Sequence, residues 1–139
     1  MKMTRVMCFG TFDGVHKGHE YYLREAKKLG DFLVVVVALD ETVEAVKKKS
    51  PVYNARERAY KVQQLEIADK VIMGNPGDKL NVVVDEKPDV ICLGYDQTFF
   101  TENLKERLKL RGLNPEIVRI KAYKPEWYKS SIFQGKTKK

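Results

Sequence analysis

The stretch Phe32 to Leu39, Phe-Leu-Val-Val-Val-Val-Ala-Leu, leaves the fewest choices for the fold. Valine in an unbroken run favours a strand, and the lack of polar alternation leaves that strand no face to give to water. Such a strand belongs inside a sheet covered on both sides, which is the usual setting of a parallel sheet.

Shorter apolar runs recur at Met3–Phe9, Val71–Met73, Asp89–Leu93 and Glu116–Ile120. Lys17 to Leu29 carries Tyr21, Tyr22, Leu23, Ala26 and Leu29 at helical spacing, and Gly30-Asp31 is placed to close that helix. Asp40 is placed to cap a short helix through Val46, and further helices are expected over Ala55–Glu66, Leu80–Asp85 and Glu102–Arg111. This alternation predicts an α/β fold: a single Rossmann-like domain over residues 1–139, with a five-stranded parallel sheet, right-handed crossovers and helices on both faces. Ligands of such sheets sit beyond the carboxyl ends of the strands, where strand order reverses. The segments Gly10–His19 and Gly94–Gln97, after the first and fourth strands, are therefore the expected site.

With 43% hydrophobic residues in 139, the chain has material for one core. The apolar run at residues 32–39 is too short to span a membrane, and no signal-peptide layout precedes it, so a cytoplasmic protein without a membrane partner is expected. Lys+Arg of 26 against Asp+Glu of 19 gives a net charge of +7, which favours an anionic partner: a nucleotide, a phosphorylated metabolite or nucleic acid. A basic nucleic-acid-binding module is the non-enzymatic alternative, but no motif of that class is present, and no nucleic-acid partner is expected. Cys8 and Cys92 fall in expected buried strands and lack the spacing of a zinc site or disulfide framework.

The loop after the first strand matches neither the dinucleotide fingerprint nor the G-x-x-x-x-G-K-S/T phosphate loop. It offers Gly10-Thr11-Phe12-Asp13 and His16-Lys17-Gly18-His19 instead, and these are the only two histidines of the chain. Three residues apart at a helix entry, His16 and His19 share one face of the first turn, where backbone N–H groups and the positive helix end attract phosphate. Gly10 is expected to let the chain turn out of the strand, Gly18 to let a ligand approach the backbone, Thr11 to supply a hydroxyl, and Asp13 to accept backbone N–H bonds. A metal site on two histidines without a third ligand is the weaker explanation.

The segment Gly10-Thr11-Phe12-Asp13-Gly14-Val15-His16-Lys17-Gly18-His19 resembles the G-T-F-D-x-x-H-x-G-H motif of the cytidylyltransferase-like nucleotidyltransferase superfamily. The resemblance implies attack by a substrate phosphate on the α-phosphorus of a nucleoside triphosphate, with pyrophosphate leaving and Mg²⁺ or another divalent ion accompanying the triphosphate. It implies that His16, His19 and Arg58 are catalytic, with charge added by Lys47, Lys48 or Lys49; Lys47 and Lys49 are carried as nucleotide-binding candidates, and spacing leaves the choice open. Gly94-Tyr95-Asp96-Gln97 is similar to the family's G-x-D segment beside the nucleotide, which makes Gly94 and Asp96 candidates; a plain turn aspartate remains the other reading of Asp96. Ser130-Ser131 resembles the end of its R-T-E-G-I-S-T-S-x-I motif, while the R-T-E-G portion is missing, so Lys124 and Lys129 both stand as replacements for its arginine.

Within the superfamily, Leu39–Val43, Gly94–Thr98, Arg111–Asn114 and the terminal serines resemble the archaeal-type FAD synthases, which implies ATP and FMN as substrates and a homodimer. Phe99, Trp127 and Tyr128 are candidates to stack on a flavin ring. Glycerol-3-phosphate cytidylyltransferases share the first motif and are the alternative.

Overall fold

A computed structural model of the chain describes residues 3–94 and 103–121. The valine-rich run forms strand β2, Phe32–Val37, next to the middle of the sheet. Its residues from Leu33 to Val37 are at most 3% exposed. Leu33, Val35 and Val37 pack with Leu23, Ala26 and Val62, while Val34 and Val36 pack with Leu80, Val83, Leu104 and Leu108. Each such burial contributes roughly 1.5–3 kcal/mol relative to exposure, which is why this strand tolerates no polar face.

The elements follow in the order β1 (Arg5–Gly10), α1 (Lys17–Lys27), β2, α2 (Asp40–Lys47), α3 (Ala55–Gln64), β3 (Lys70–Met73), α4 (Leu80–Glu86), β4 (Val90–Leu93), α5 (Leu104–Leu110) and β5 (Glu116–Arg119). All strand pairs are parallel, in the sheet order β3-β2-β1-β4-β5. Helices α1 and α3 bury Leu23, Ala26 and Val62 on one face, and α4 and α5 bury Leu80, Val83, Leu104 and Leu108 on the other. Order reverses between β1 and β4, so the segments leaving those two strands flank the reversal, as the Rossmann-like reading requires. Among the described residues, no helix is long and apolar enough to cross a membrane.

Two local expectations are corrected. Gly30 does not cap α1 in a left-handed conformation; a Cβ there would lie 2.7 Å from the Thr4 carbonyl oxygen and 2.7 Å from Val6 Cγ2, so glycine is needed because this turn packs directly on β1. Asp40 is not the cap of α2, because Leu39 occupies the N-cap position with no side-chain cap bond. Asp40 lies one residue further on, inside the helix, and its carboxylate goes to Arg58.

Candidate active site

The segment leaving β1 is shaped by Phe12. Its backbone takes the left-handed conformation at φ 55°, a cost of order 1–3 kcal/mol for a non-glycine residue, and its side chain is only 2% exposed. Burial of the ring holds the loop in that conformation. The ring crosses directly over Gly10, where a Cβ would lie 2.6 Å from its carbons. Gly10 therefore makes room for Phe12, and its φ is not among the positive ones; the expectation that it serves as a turn residue is replaced by this packing reason. Gly14, at φ 89°, is where the loop does require glycine's freedom.

His16 is the N-cap of α1, and the two histidines cap the helix together. His16 Nδ1 accepts the Gly18 N–H at 3.0 Å, and His19 Nδ1 accepts the His16 N–H at 3.2 Å. The two rings stack with centroids 4.0 Å apart, and Phe12 meets His19 edge-on at 5.2 Å. A Cβ on Gly18 would come within 2.9 Å of His16 Cε1, so this glycine admits an imidazole rather than exposing backbone to a ligand. Because each ring accepts at Nδ1, its neutral form carries the proton on Nε2. The capping box thus sets the tautomer of both rings, directing their Nε2–H donors away from the helix end while that end adds partial positive charge.

Arg58 is placed differently from the sequence expectation. Its side chain is fully buried, and the guanidinium donates to three protein oxygens: Nε to the Tyr53 carbonyl (2.8 Å), Nη1 to the Thr11 carbonyl (2.8 Å) and Nη2 to Asp40 Oδ1 (2.6 Å). In this arrangement Arg58 holds the Gly10–His19 segment through the Thr11 carbonyl, with its three donor nitrogens engaged by protein oxygens. Asp13 closes the clasp from the other side, accepting the N–H groups of Val52 (2.8 Å) and Tyr53 (2.9 Å). Desolvation works against ionisation of Asp13, but the bonds from Val52 and Tyr53 and the charges of Arg58 and Lys47 hold its carboxyl below the usual range. Asp13 therefore accepts backbone N–H bonds, as the sequence suggests, and Thr11 contributes a carbonyl to the clasp.

Lys47 ends α2 and lies near enough to Asp13 to act on its charge, while Lys48 and Lys49 follow on the exposed surface. Gly94 follows β4 across the strand-order reversal, its carbonyl accepting Arg119 Nη1 at 2.6 Å. Asp96, Phe99, Lys124, Trp127, Tyr128, Lys129, Ser130 and Ser131 lie outside the described residues.

Sequence reasoning missed three participants. Asp40 was read as a cap, and Tyr53 carried no motif, yet both hold Arg58. Tyr22, read as one more apolar position of α1, places its hydroxyl 3.2 Å from the Phe9 carbonyl and 3.1 Å from the Cys92 carbonyl, tying α1 to β1 and β4 at their divergence. A tyrosine where leucine would fill the core was the available signal. Beside the Gly10–His19 segment, a small open recess of about 30 Å³ lies at the carboxyl ends of β1, β2 and β3, with walls from Phe9, Val36, Leu39 and Val82 and with Asn75 and Lys79 at one side.

The structure thus places a doubly capped, histidine-bearing helix start at the strand-order reversal of a parallel sheet. The chain belongs to the cytidylyltransferase-like family, whose model matches residues 7–135. Among its relatives, the FAD synthase of Aciduliprofundum boonei is 46% identical over 87% of this chain and 80% of that protein. The FAD synthase of Thermoplasma acidophilum is 45% identical over 96% of this chain and 94% of that protein. A crystal structure from Thermoplasma volcanium GSS1, described as a lipopolysaccharide core biosynthesis protein, superposes with a TM-score of 0.83 at 43% identity, covering 88% of this chain and 99% of that one. The pantoate-β-alanine ligase of Francisella tularensis, at 12% identity and a TM-score of 0.62, shares the fold.

Proposed function

We infer that this chain is an FMN adenylyltransferase, joining the AMP portion of ATP to the phosphate of FMN to give FAD and pyrophosphate. The observation that carries the reaction type is the histidine capping box, which presents two Nε2–H donors beside a helix N-terminus at the strand-order reversal. The choice of acceptor is supported by FAD synthase relatives that are 45–46% identical over most of their length.

The chemistry asks little of a base, because the attacking phosphate oxygen of FMN is already an anion. It forms a bond to the α-phosphorus as the bond to the pyrophosphate oxygen breaks, and negative charge moves onto the leaving group. Fixed donors aimed at that charge lower the barrier without having to reorganise. His16 and His19 supply them, with Lys47 or Lys49 as added positive charge and Arg58 and Asp13 holding the loop. Asp96, Ser130 and Ser131 are proposed to complete the nucleotide site, with Gly94 after β4 at its edge.

Among the described residues, no three His, Cys, Asp or Glu side chains gather to hold a metal. Mg²⁺ or another divalent ion is proposed to arrive bound to the triphosphate, whose negative charge it offsets. A homodimer and a cytoplasmic location also belong to this reading; sedimentation and cell fractionation check them.

The test is a substrate panel with the purified protein: ATP with FMN, and CTP with glycerol 3-phosphate. FAD from the first pair supports the reading, and CDP-glycerol from the second without FAD from the first removes it.

A further inference from the structure

The pairing of β1 with β4 runs as far as Cys8 and Cys92. Beyond that point each strand keeps its outer neighbour, β1 running with β2 to Gly10 and Val37 and β4 with β5 to Leu93 and Arg119. The sheet therefore opens between β1 and β4, and Tyr22 stands at the mouth of the opening. Its hydroxyl oxygen lies 3.2 Å from the Phe9 carbonyl oxygen and 3.1 Å from the Cys92 carbonyl oxygen, donating across the gap. A phenol has one proton for the two acceptors, so the bond is three-centred, and both arms are longer than the roughly 2.7–2.8 Å of an ordinary O–H···O bond. The ring packs against the core that holds Leu23, Ala26 and Val35. Phenylalanine would fill that place equally well, so the hydroxyl is what distinguishes the residue.

The two carbonyls mark where the strands give way to the site. The Phe9 carbonyl shares a peptide plane with the Gly10 N–H, where the Gly10–His19 segment starts, and Cys92 stands two residues before Gly94 at the end of β4. Tyr22 itself belongs to α1, three residues after His19 and one turn along the same side of the helix. One side chain thus connects the helix that carries the histidines with the ends of both strands. We propose that Tyr22 is a positioning residue for the histidine pair: its hydroxyl fixes α1 against the diverging strands and sets the placement of His16 and His19 relative to the end of β4. The inference rests on the reading of the histidines as transition-state donors and adds what holds them in place. A reaction driven by positioning is sensitive to such support, since a displacement of about 1 Å can cost about 10²-fold in rate. Removing the hydroxyl leaves the substrate contacts present but misaligned, a loss that falls on kcat more than on KM.

The experiment compares wild type with Tyr22→Phe and with Tyr60→Phe, the control, whose tyrosine is 63% exposed on α3. Steady-state kinetics with ATP and FMN are run well below each protein's unfolding midpoint, and the histidine ring resonances are recorded by NMR without substrate. Tyr22→Phe is expected to lose kcat about tenfold, with the KM for ATP within about twofold of wild type, and to shift the imidazole resonances of His16 and His19. Tyr60→Phe changes neither. A purely structural role lowers the unfolding midpoint alone, so a folded Tyr22→Phe with wild-type kcat, or with unshifted imidazoles, overturns the inference. In wild type the Tyr22 hydroxyl proton is expected to exchange slowly enough to be observed, and a freely exchanging one overturns the inference even if the variant does not fold. Imidazole shifts in Tyr22→Phe without FAD formation by wild type remove the acceptor assignment and leave the positioning standing. FAD formation by wild type with unshifted imidazoles in the variant does the reverse.

Discussion

The imidazole of His19 accepts the backbone N–H of His16 at 3.2 Å through Nδ1, so the second histidine positions the first. In the proposed mechanism the cap and the donor are two nitrogens of one ring, and substitution can separate them. Asparagine is among the best N-cap residues but does not place a donor where Nε2 stands. His16→Asn is expected to retain stability within about 0.5 kcal/mol and His16→Ala to lose about 1 kcal/mol. Both lose turnover by about 10²–10³-fold, the usual cost of removing one transition-state donor. Urea denaturation alongside steady-state kinetics checks this; an Asn variant with near-normal turnover contradicts the donor role.

Arg58 gives a different pattern. Losing its guanidinium leaves the Thr11 and Tyr53 carbonyls and Asp40 without their donor, a penalty on the order of 2–4 kcal/mol. Arg58→Met is expected to lose stability and activity together, and Arg58→Lys to recover only part of each, since one ammonium cannot span all three oxygens. A variant of full stability that has lost only ATP affinity indicates direct phosphate contact instead.

Acid weakens the fold through named carboxylates. Asp69 is held below its ordinary value of 3.8 first by Lys27 and then by the Leu33 N–H. Asp13 and Asp78 are lowered from 3.8, and Glu86 from 4.5, by their N–H, lysine and arginine partners. A native pKa below the unfolded one means that the unfolded chain binds more protons between the two values, so stability rises with pH there. Their contribution is complete above about pH 5 and is lost as pH falls through the lowered native values. Urea midpoints from pH 2 to 6 report the slope, and Asp69→Asn makes it shallower.

Cys8 and Cys92 are opposed on β1 and β4 and buried. Burial pushes the Cys92 thiol up to about 12, with Glu116 adding to the shift, and raises Cys8 well above its ordinary value. Neither forms thiolate near neutrality, so alkylation of the native protein is expected to be slow and to follow global unfolding. Rapid labelling of either thiol in the folded protein contradicts this picture.

The sheet was readable because its evidence is local. The valine run demands burial on both faces, and the helical spacing of α1 shows in consecutive turns. The histidine site was readable for the same reason, since its members lie within one loop and one helix turn. What escaped was tertiary. The partners of Arg58 at Thr11 and Asp40 are 47 and 18 residues away, and no spacing rule connects them. Gly10 and Gly18 were expected to serve backbone freedom and ligand approach, whereas each makes room for a particular ring, which only the packed loop reveals. Nothing in the local sequence marks Asn75, whose unsatisfied oxygen exists only once the Pro76 and Asp78 carbonyls have taken its nitrogen.

The central claim is the transfer of AMP from ATP to FMN by the histidine-capped site, and phosphorus NMR of the protein with ATP and FMN tests it most directly. The account predicts FAD and pyrophosphate appearing in equal amounts, with both signals abolished in His19→Ala while the circular dichroism of that variant remains that of a folded protein. ADP and inorganic phosphate as the products, or FAD formed at the normal rate without His19, contradicts it.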